Sequence, residues 1–335
     1  MKKNILLTGA SGTLGFEVLK QLVEKNHYKI TVFDIRNKNS EKKFNSVKGD
    51  FEIVYGDISS KNDVEKISKN KDAVIHLAAI IPPLADEKPE LAEKVNVKGT
   101  ENLILALEKN SPDTFFIYSS SISVYGDRIE NPDISINDPL IPSEGDEYAV
   151  TKIKTEQVIQ NSKLNWTIFR LAAIMGNHKI SKLMFHMPLE TSVEICTPED
   201  TARAFVNAIK KQNALKSRVF NLGGGETCRL SYKDLLSESF RIFGMGKLDF
   251  PEKAFAEKNF HCGNYADGDD LEEILHFRKD DLEAYFRKVK SGVNPAVKII
   301  TKLVNPLVKK RLLKESEPYE SFKTGDQKMM ERFFN

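Results

Sequence analysis

Tyr148 and Lys152 set a phenol and an ammonium four residues apart in the run Tyr148-Ala-Val-Thr-Lys152. On a helix that spacing stacks the two side chains on one face. A free phenol titrates near ~10, so alone it is a poor base at neutral pH. A neighbouring cation favours the phenolate, and lowering the pKa by about three units takes roughly 4 kcal/mol of differential interaction. The same spacing occurs on many solvated helix faces, so the pair needs company to mean chemistry. Phe115-Phe-Ile-Tyr-Ser-Ser-Ser121 supplies it, as a strand whose carboxyl end carries three hydroxyls. Ser119 and Ser120 also suit an ordinary strand-to-loop exit.

A second constellation is the loop Thr8-Gly9-Ala10-Ser11-Gly12-Thr13-Leu14-Gly15, which follows a short apolar run and opens an amphipathic one. Gly9 permits a tight turn, Gly12 lets backbone approach a diphosphate, and Gly15 lets the helix pack closely on a sheet. The helix start then offers free N–H groups and a positive dipole end to an anion. Asp34 closes the next apolar run, where a carboxylate accepts hydrogen bonds from an adenosine ribose and repels a 2′-phosphate. Arg36, two residues on, is a group suited to that phosphate. These residues together favour NAD over NADP.

The elements that must hold these groups alternate. Short apolar runs at Asn4–Leu7, Lys29–Phe33, Glu52–Tyr55, Ala73–Leu77, Phe115–Tyr118, Trp166–Leu171 and Val219–Leu222 read as strands. Leu14–Lys25, Pro89–Asn110, Tyr148–Ser162 and Pro198–Lys211 carry helical spacing, as do Leu230–Phe243 and Asp280–Lys290. Such alternation predicts an α/β fold, a Rossmann-type doubly wound parallel sheet of about seven strands with a small C-terminal substrate lobe. Residues 1–171 with 198–222 are expected to form the dinucleotide-binding domain. Residues 172–197 with 223–290 form the substrate lobe, and 291–335 a basic amphipathic extension.

The glycine loop, Ser119-Ser-Ser-Ile-Ser-Val-Tyr-Gly126 and Tyr148-Ala-Val-Thr-Lys152 together resemble the extended short-chain dehydrogenase/reductase family, which includes nucleotide-sugar epimerases and dehydratases. The likeness runs on through Gly56-Asp57-Ile58, His76-Leu-Ala-Ala79, Val95-Asn-Val-Lys-Gly-Thr100, Arg170-Leu-Ala-Ala-Ile-Met-Gly176 and Phe220-Asn-Leu-Gly-Gly-Gly-Glu226, covering roughly residues 1–285. The resemblance implies that Ser121 orients a substrate oxygen and Tyr148 exchanges its proton. Lys152 would hold the nicotinamide ribose and tune the tyrosine. Asp57 and Ile58 would contact the adenine, while Ser11, Thr13, Leu14, Ile35, Leu77, Ala78, Ala79, Ser119 and Leu171 complete the cofactor's surroundings. Asn96 takes the place of a helix asparagine with a structural or proton-relaying role. A homodimer through the helices around 89–110 and 148–162 is also implied. His76 lies inside a strand run and reads as a core histidine.

Two features depart from the nucleotide-sugar pattern. The interval between Gly176 and Asp200 is short, its only lysines are Lys179 and Lys182, and it has no arginine fork for a diphosphate. Arg203 and Arg229 are the remaining candidates. The loop Ile80-Ile-Pro-Pro-Leu84 is apolar where the nicotinamide would lie, which suits either a pocket cover or packing against the second lobe.

Bulk properties narrow the rest. With 40% hydrophobic and 29% charged residues the chain has the balance of a globular protein. A net charge of +2 creates no field for nucleic acid. Cys196, Cys228 and Cys262 are far apart, with neither disulfide nor metal spacing, so no metal and a reducing compartment are expected. The apolar run Ile5–Leu7 is too short for a signal or a membrane span, and a cytoplasmic location follows. Val293–Leu313 mixes apolar and basic residues, broken by Pro295 and Pro306. At most two short helices packed on the body are expected there, with membrane contact the lesser alternative and a mobile tail after Ser316.

The expected function is NAD-dependent chemistry on a secondary alcohol or carbonyl of a small molecule, with a nucleotide sugar among the substrates considered. Oxidation or reduction, epimerisation and dehydration all fit the same groups. One alternative is a reductase of a small apolar ketone or aldehyde. Another, from a different class, is a non-catalytic dinucleotide-sensing protein.

Overall fold

The computed structural model describes residues 2–176 and 182–334. Its first part alternates strand and helix: β1 (Lys3–Thr8), α1 (Thr13–Lys25), β2 (Tyr28–Asp34), α2 (Lys38–Ser46), β3 (Glu52–Tyr55), α3 (Lys61–Ile67) and β4 (Ala73–His76). Then come α4 (Gly99–Asn110), β5 (Phe115–Ser121), α5 (Glu147–Gln160), β6 (Asn165–Leu171), α6 (Pro198–Ala208) and β7 (Arg218–Leu222). Among the described residues these seven strands form one sheet in the order β7-β6-β5-β4-β1-β2-β3, with all pairings parallel. The order reverses between β1 and β4, which leaves a crevice outside their carboxyl ends. Thr8, paired with His76 across that junction, marks its floor.

Apolar side chains bury both faces of the sheet. Val18, Leu19, Leu22, Phe205 and Val206 of α1 and α6 cover one. Ile58, Val64, Leu103, Leu107 and Ile159 cover the other. Each such large side chain contributes roughly 1.5–3 kcal/mol on burial. The run at Pro89–Asn110 is helical throughout, but Glu93–Lys98 is a π-helical segment that re-aims Asn96 before α4 begins.

α2 and α3 carry no apolar periodicity worth reading, and the sequence pattern does not show them. α2 buries only Ser40 and Phe44. It is fixed instead by its start, where the Asn37 side chain accepts from Asn39 and Ser40 N–H and the Ser40 hydroxyl accepts from Asn37 N–H.

A third apolar cluster lies beyond the sheet. Strand Ser192–Cys196 pairs antiparallel with Arg229–Ser231 and parallel with Ala173–Ile174. Phe185, Val193 and Ile195 pack there against Leu235, Leu236 and Phe240 of α7 (Tyr232–Phe243) and Tyr285 of α8 (Leu282–Ser291). The expected helix over Leu230–Phe243 is therefore two elements. Leu230 is strand, and Ser231 caps α7 by accepting from Asp234 N–H.

The C-terminal expectations need correction. Pro295 and Pro306 do not divide the segment, because α9 runs unbroken from Pro295 to Leu313. Pro295 occupies the first turn, where no N–H is needed. Pro306 cannot donate to the Lys302 carbonyl, and the Asn305 side chain donates to it instead at 2.9 Å. Nor does the chain trail off after Ser316. α10 (Glu317–Thr324) and α11 (Gln327–Phe333) return to the body, where Phe333 and Phe334 are buried and Glu257 N–H donates to the Phe333 carbonyl. No helix among the described residues is long and apolar enough to cross a membrane.

Candidate active site

The glycine loop has the shape its residue types require. Gly9 adopts φ +72°, and a Cβ there would lie 2.6 Å from the Ala78 backbone nitrogen. A Cβ at Gly15 would strike the Gly9 carbonyl oxygen, so α1 reaches the sheet only with glycine at that position. Gly12 begins α1 without a side-chain cap, leaving the helix start open to an anion.

Asp34 closes this loop from the side. Its carboxylate accepts from Ser11 N–H at 2.7 Å and from Ile35 N–H at 2.8 Å. Arg36 turns away, bonded to Glu41 at 2.9 Å and stacked 5.1 Å from the Tyr55 ring centre. Lys43 of α2, which the sequence reading passed over, donates to the Ser11 carbonyl at 2.7 Å. Its only signal was its place in an unrecognised helix.

Gly9, Ser11, Gly12, Asp34, Ile35, Asp57, Ile58, Leu77, Ala78, Ala79 and Ile80 line one cleft of about 240 Å³. Thr13 and Leu14 start α1 at its edge, and Leu171 sits at the end of β6 opposite Ser121. A wider cleft of about 790 Å³ lies by Lys2, Tyr28 and Asp50, at the amino edge of β1 and β2 and away from these groups.

Beneath the cleft a buried hydrogen-bond chain sets α5 against the sheet. The Thr8 hydroxyl accepts from Leu77 and Ala78 N–H, which leaves its own proton for His76 Nδ1 at 2.7 Å. His76 Nε2 then donates to the Thr100 hydroxyl at 2.9 Å, and Thr100 donates to the Asn96 carbonyl. Burial, with the Lys152 charge adding to it, pushes the His76 pKa down to about 3. It is a neutral core histidine. Asn96 clamps three elements: its oxygen accepts from Ile80 N–H, while its amide donates to the Ile80 carbonyl and the Thr151 hydroxyl of α5.

α5 and the end of β5 bring Ser121, Tyr148 and Lys152 together. Ser121 caps a short 3₁₀ turn by accepting from Ser123 N–H at 3.1 Å, and its hydroxyl lies beside the Tyr148 phenol. Lys152, fully buried, donates to the Ser119 carbonyl at 2.7 Å and to the Tyr118 hydroxyl at 3.1 Å. Its Nζ stands 5.4 Å from the centre of the Tyr148 ring.

The electrostatics differ from the sequence expectation. Burial lowers the Lys152 pKa to about 7, with Glu156 opposing. Burial raises that of Tyr148, and the Asp146 and Asp86 carboxylates raise it further. Asp86 also accepts from Tyr148 N–H at 3.2 Å, and Asp146 caps α5 and pairs with His261 at 2.6 Å. The protein's own groups thus keep the phenol protonated and ready to donate.

Ser119 and Ser120 divide. Ser119 exposes its carbonyl to Lys152, whereas the Ser120 hydroxyl points into a buried network, donating to Glu156 at 2.5 Å. Glu156 holds Arg170 at 2.7 Å, and Arg170 reaches the Tyr125 hydroxyl. Ser120 is a packing residue.

The arginines considered for a diphosphate are taken. Arg229 donates to Glu194 at 2.9 Å and to the Tyr265 carbonyl at 2.7 Å, and Arg203 to Asp200 and the Phe277 carbonyl. Lys179 lies outside the described residues. In the loop after β4, Ile80 lines the cleft while Ile81 remains exposed.

The profile of the NAD dependent epimerase/dehydratase family matches residues 5–223. The chain belongs to this family. It is 29% identical over 181 residues to the decarboxylating sterol-4-alpha-carboxylate 3-dehydrogenase of Schizosaccharomyces pombe, covering 52% of each chain. It is 32% identical over 128 residues to the UDP-N-acetyl-alpha-D-glucosaminuronate decarboxylase of Bacillus cytotoxicus, covering 38% of this chain and 39% of that one. The chain thus spans about half the length of the sterol relative and less of the sugar relative. The solved UDP-glucose 4-epimerase of Thermotoga maritima, with UDP-glucose, superposes with a TM-score of 0.71 at 21% identity, over 90% of this chain and 99% of that one. That likeness establishes the fold, a Rossmann-type sheet with flanking helices.

NAD is the dinucleotide of the family, and the residues present fit it. The glycines leave the room that a Cβ would fill, the start of α1 is open, and Asp34 stands at the ribose end with Arg36 turned away.

Proposed function

We propose that this family member carries out NAD-dependent chemistry at a secondary alcohol or carbonyl carbon of a small molecule, with Tyr148 exchanging the proton at its oxygen. The observation that carries this reading is the meeting of Ser121, Tyr148 and Lys152 at the end of β5, the strand paired with β4, after which Leu77, Ala78 and Ala79 line the cleft. Bound there, NAD supplies a hydride acceptor or donor. Ser121 holds the reacting oxygen toward the phenol. Tyr148, kept protonated by burial and by Asp146 and Asp86, gives its proton to the carbonyl oxygen as a hydride reaches the carbon. The phenolate so formed takes the proton back when the hydride leaves an alcohol. Lys152 sets the charge beside the phenol and anchors to Ser119 at the strand end. Residues 172–197 with 223–290 serve as the substrate lobe in this reading, and the helices 99–110 and 147–160 as a homodimer face.

The test is Tyr148→Phe, read by absorbance at the reduced-nicotinamide band with a panel of alcohols, ketones and nucleotide sugars. Turnover falls by on the order of a hundredfold or more while NAD binding persists. Unchanged turnover would overturn the role of the phenol. Tight NAD binding without turnover on any class would leave the dinucleotide-sensing alternative.

A second reading concerns the substrate. Arg203 and Arg229 are held in ion pairs, while Ala173, Met175, Met187 and Leu189 present partly buried apolar surface around the third cluster. This favours an apolar alcohol or ketone over a nucleotide sugar, in keeping with a sterol dehydrogenase among the relatives. Turnover confined to nucleotide sugars in the same panel would reverse it.

A further inference from the structure

The helix α9 is laid down with its polarity reversed. Thr301, Asn305 and Lys309 are half-buried on the inner side with Val308 and Leu312, and Lys309 pairs with Asp249. The outward stripe carries Ile299, Ile300, Leu303 and Leu307, exposed at 62%, 59%, 77% and 69%. Their spacing of three, four and seven residues makes one continuous ridge along the helix. Amphipathic helices on globular proteins place the apolar face against the core, and isolated exposed leucines need no explanation, but a whole apolar face turned to water does.

Charge narrows what covers that ridge. From Ala284 to Lys314 the sequence has nine basic residues and no acidic one. The whole chain is only +2, so these nine leave the remainder at −7. Lys302, Lys310 and Arg311 emerge exposed beside the stripe. Lys298 and Lys302 also border a depression shared with Arg241 and Lys247. Long basic side chains can lay their stems along apolar surface and keep their charges at its rim. A second copy of the chain would bring an equally basic helix to the same place, and like charges facing each other repel.

We infer that α9 docks this protein, through Ile299, Ile300, Leu303 and Leu307, onto an anionic lipid surface. The helix lies in the interface with its apolar ridge in the acyl boundary and its lysines among the headgroups. It does not span the bilayer, in agreement with the absence of a sufficiently long apolar helix among the described residues. This docking stands independently of the reaction proposed above.

The experiment is flotation of the full chain with phosphatidylcholine vesicles made with and without phosphatidylserine. The wild type floats with the phosphatidylserine vesicles, and the bound fraction falls as salt rises. Leu303→Asp with Leu307→Asp lowers the affinity at least about tenfold, and so does Lys302→Glu with Lys310→Glu, each basic residue being worth about 1 kcal/mol at such a surface. Both variants keep NAD binding and thermal midpoint, since none of the four side chains is buried. Failure of the wild type to float at low salt overturns the inference, as does equal flotation of both variants. A wild-type dimer that Leu303→Asp with Leu307→Asp converts to monomer, with no vesicle binding, assigns the ridge to a second copy instead.

Discussion

Lys152 Nζ donates to the backbone carbonyl of Ser119 at 2.7 Å, which ties α5 to the end of β5 through a buried amine. Burial holds that amine at about 7, against an ordinary 10.5. Below the lower value it is charged in both folded and unfolded chains. Between the two values the unfolded chain holds one more proton, so folding stability rises with pH across that window. Relative to Lys152→Met, the wild type gains up to about 1.4 kcal/mol per pH unit there. Urea unfolding of both proteins over the window checks this, and parallel profiles would show an ordinary lysine.

Asp34 accepts from Ser11 and Ile35 N–H beside the glycine loop, where its carboxylate is expected to govern the choice of dinucleotide. Asp34→Ala removes the acceptor at the ribose and frees the loop amide. NAD affinity falls by roughly ten- to a hundredfold, the equivalent of about 1–3 kcal/mol for a lost charged hydrogen bond. NADP affinity falls less or rises, because the repulsion of a 2′-phosphate goes too. Fluorescence titration with both dinucleotides gives the ratio, and a constant ratio would remove Asp34 from cofactor selection.

These two residues show what sequence makes legible. Strand–helix alternation, glycine spacing and an acid at a strand end are local patterns with fixed geometry, so the sheet and the cleft follow from them. Ser121, Tyr148 and Lys152 become catalytic candidates through the resemblance of the ordered motif set. Non-local pairings do not follow from local patterns. That Arg229 is consumed by Glu194, and that Arg203 reaches the Phe277 carbonyl besides its own-helix partner Asp200, depends on elements meeting in space. Lys43 lies on a largely polar helix set by a capping box and the single buried ring of Phe44. Tyr148 was expected to be acidified by its lysine, yet burial acts in the opposite sense, reinforced by Asp146 and by Asp86, which comes from another element. The outward ridge of α9 shows the same limit, because an amphipathic pattern tells that a helix has two faces and not which one meets the body.

Asn96 joins Ile80 in the loop after β4 to Thr151 on α5 from within the π-helical segment. Asn96→Ala strands the half-buried Ile80 amide and carbonyl, at a cost of about 1 kcal/mol in stability. The same change lets the loop that lines the cleft drift from α5. The expected result is a fall in kcat larger than any change in NAD affinity, together with faster hydrogen exchange at the Ile80 amide. Exchange at that amide as slow as in the wild type would show that Asn96 does not hold the loop.

Glu156 and Arg170 form the buried pair beneath Ser120, with nitrogen and oxygen 2.7 Å apart and a second bond at 3.0 Å. Both side chains are almost fully enclosed, so removal of one partner leaves an uncompensated charge. Glu156→Gln therefore costs about 3–5 kcal/mol, whereas replacing both residues, as Glu156→Leu with Arg170→Met, costs less than the sum of the single changes. Because Ser120 and Tyr125 bond to the same pair, the single variants also loosen the strand end that carries Ser121. Turnover consequently drops in Glu156→Gln by more than the loss of folded protein explains. A double-mutant cycle on unfolding free energy, with kcat per folded molecule measured alongside, separates the two effects. Additive single changes would show that Glu156 and Arg170 act independently.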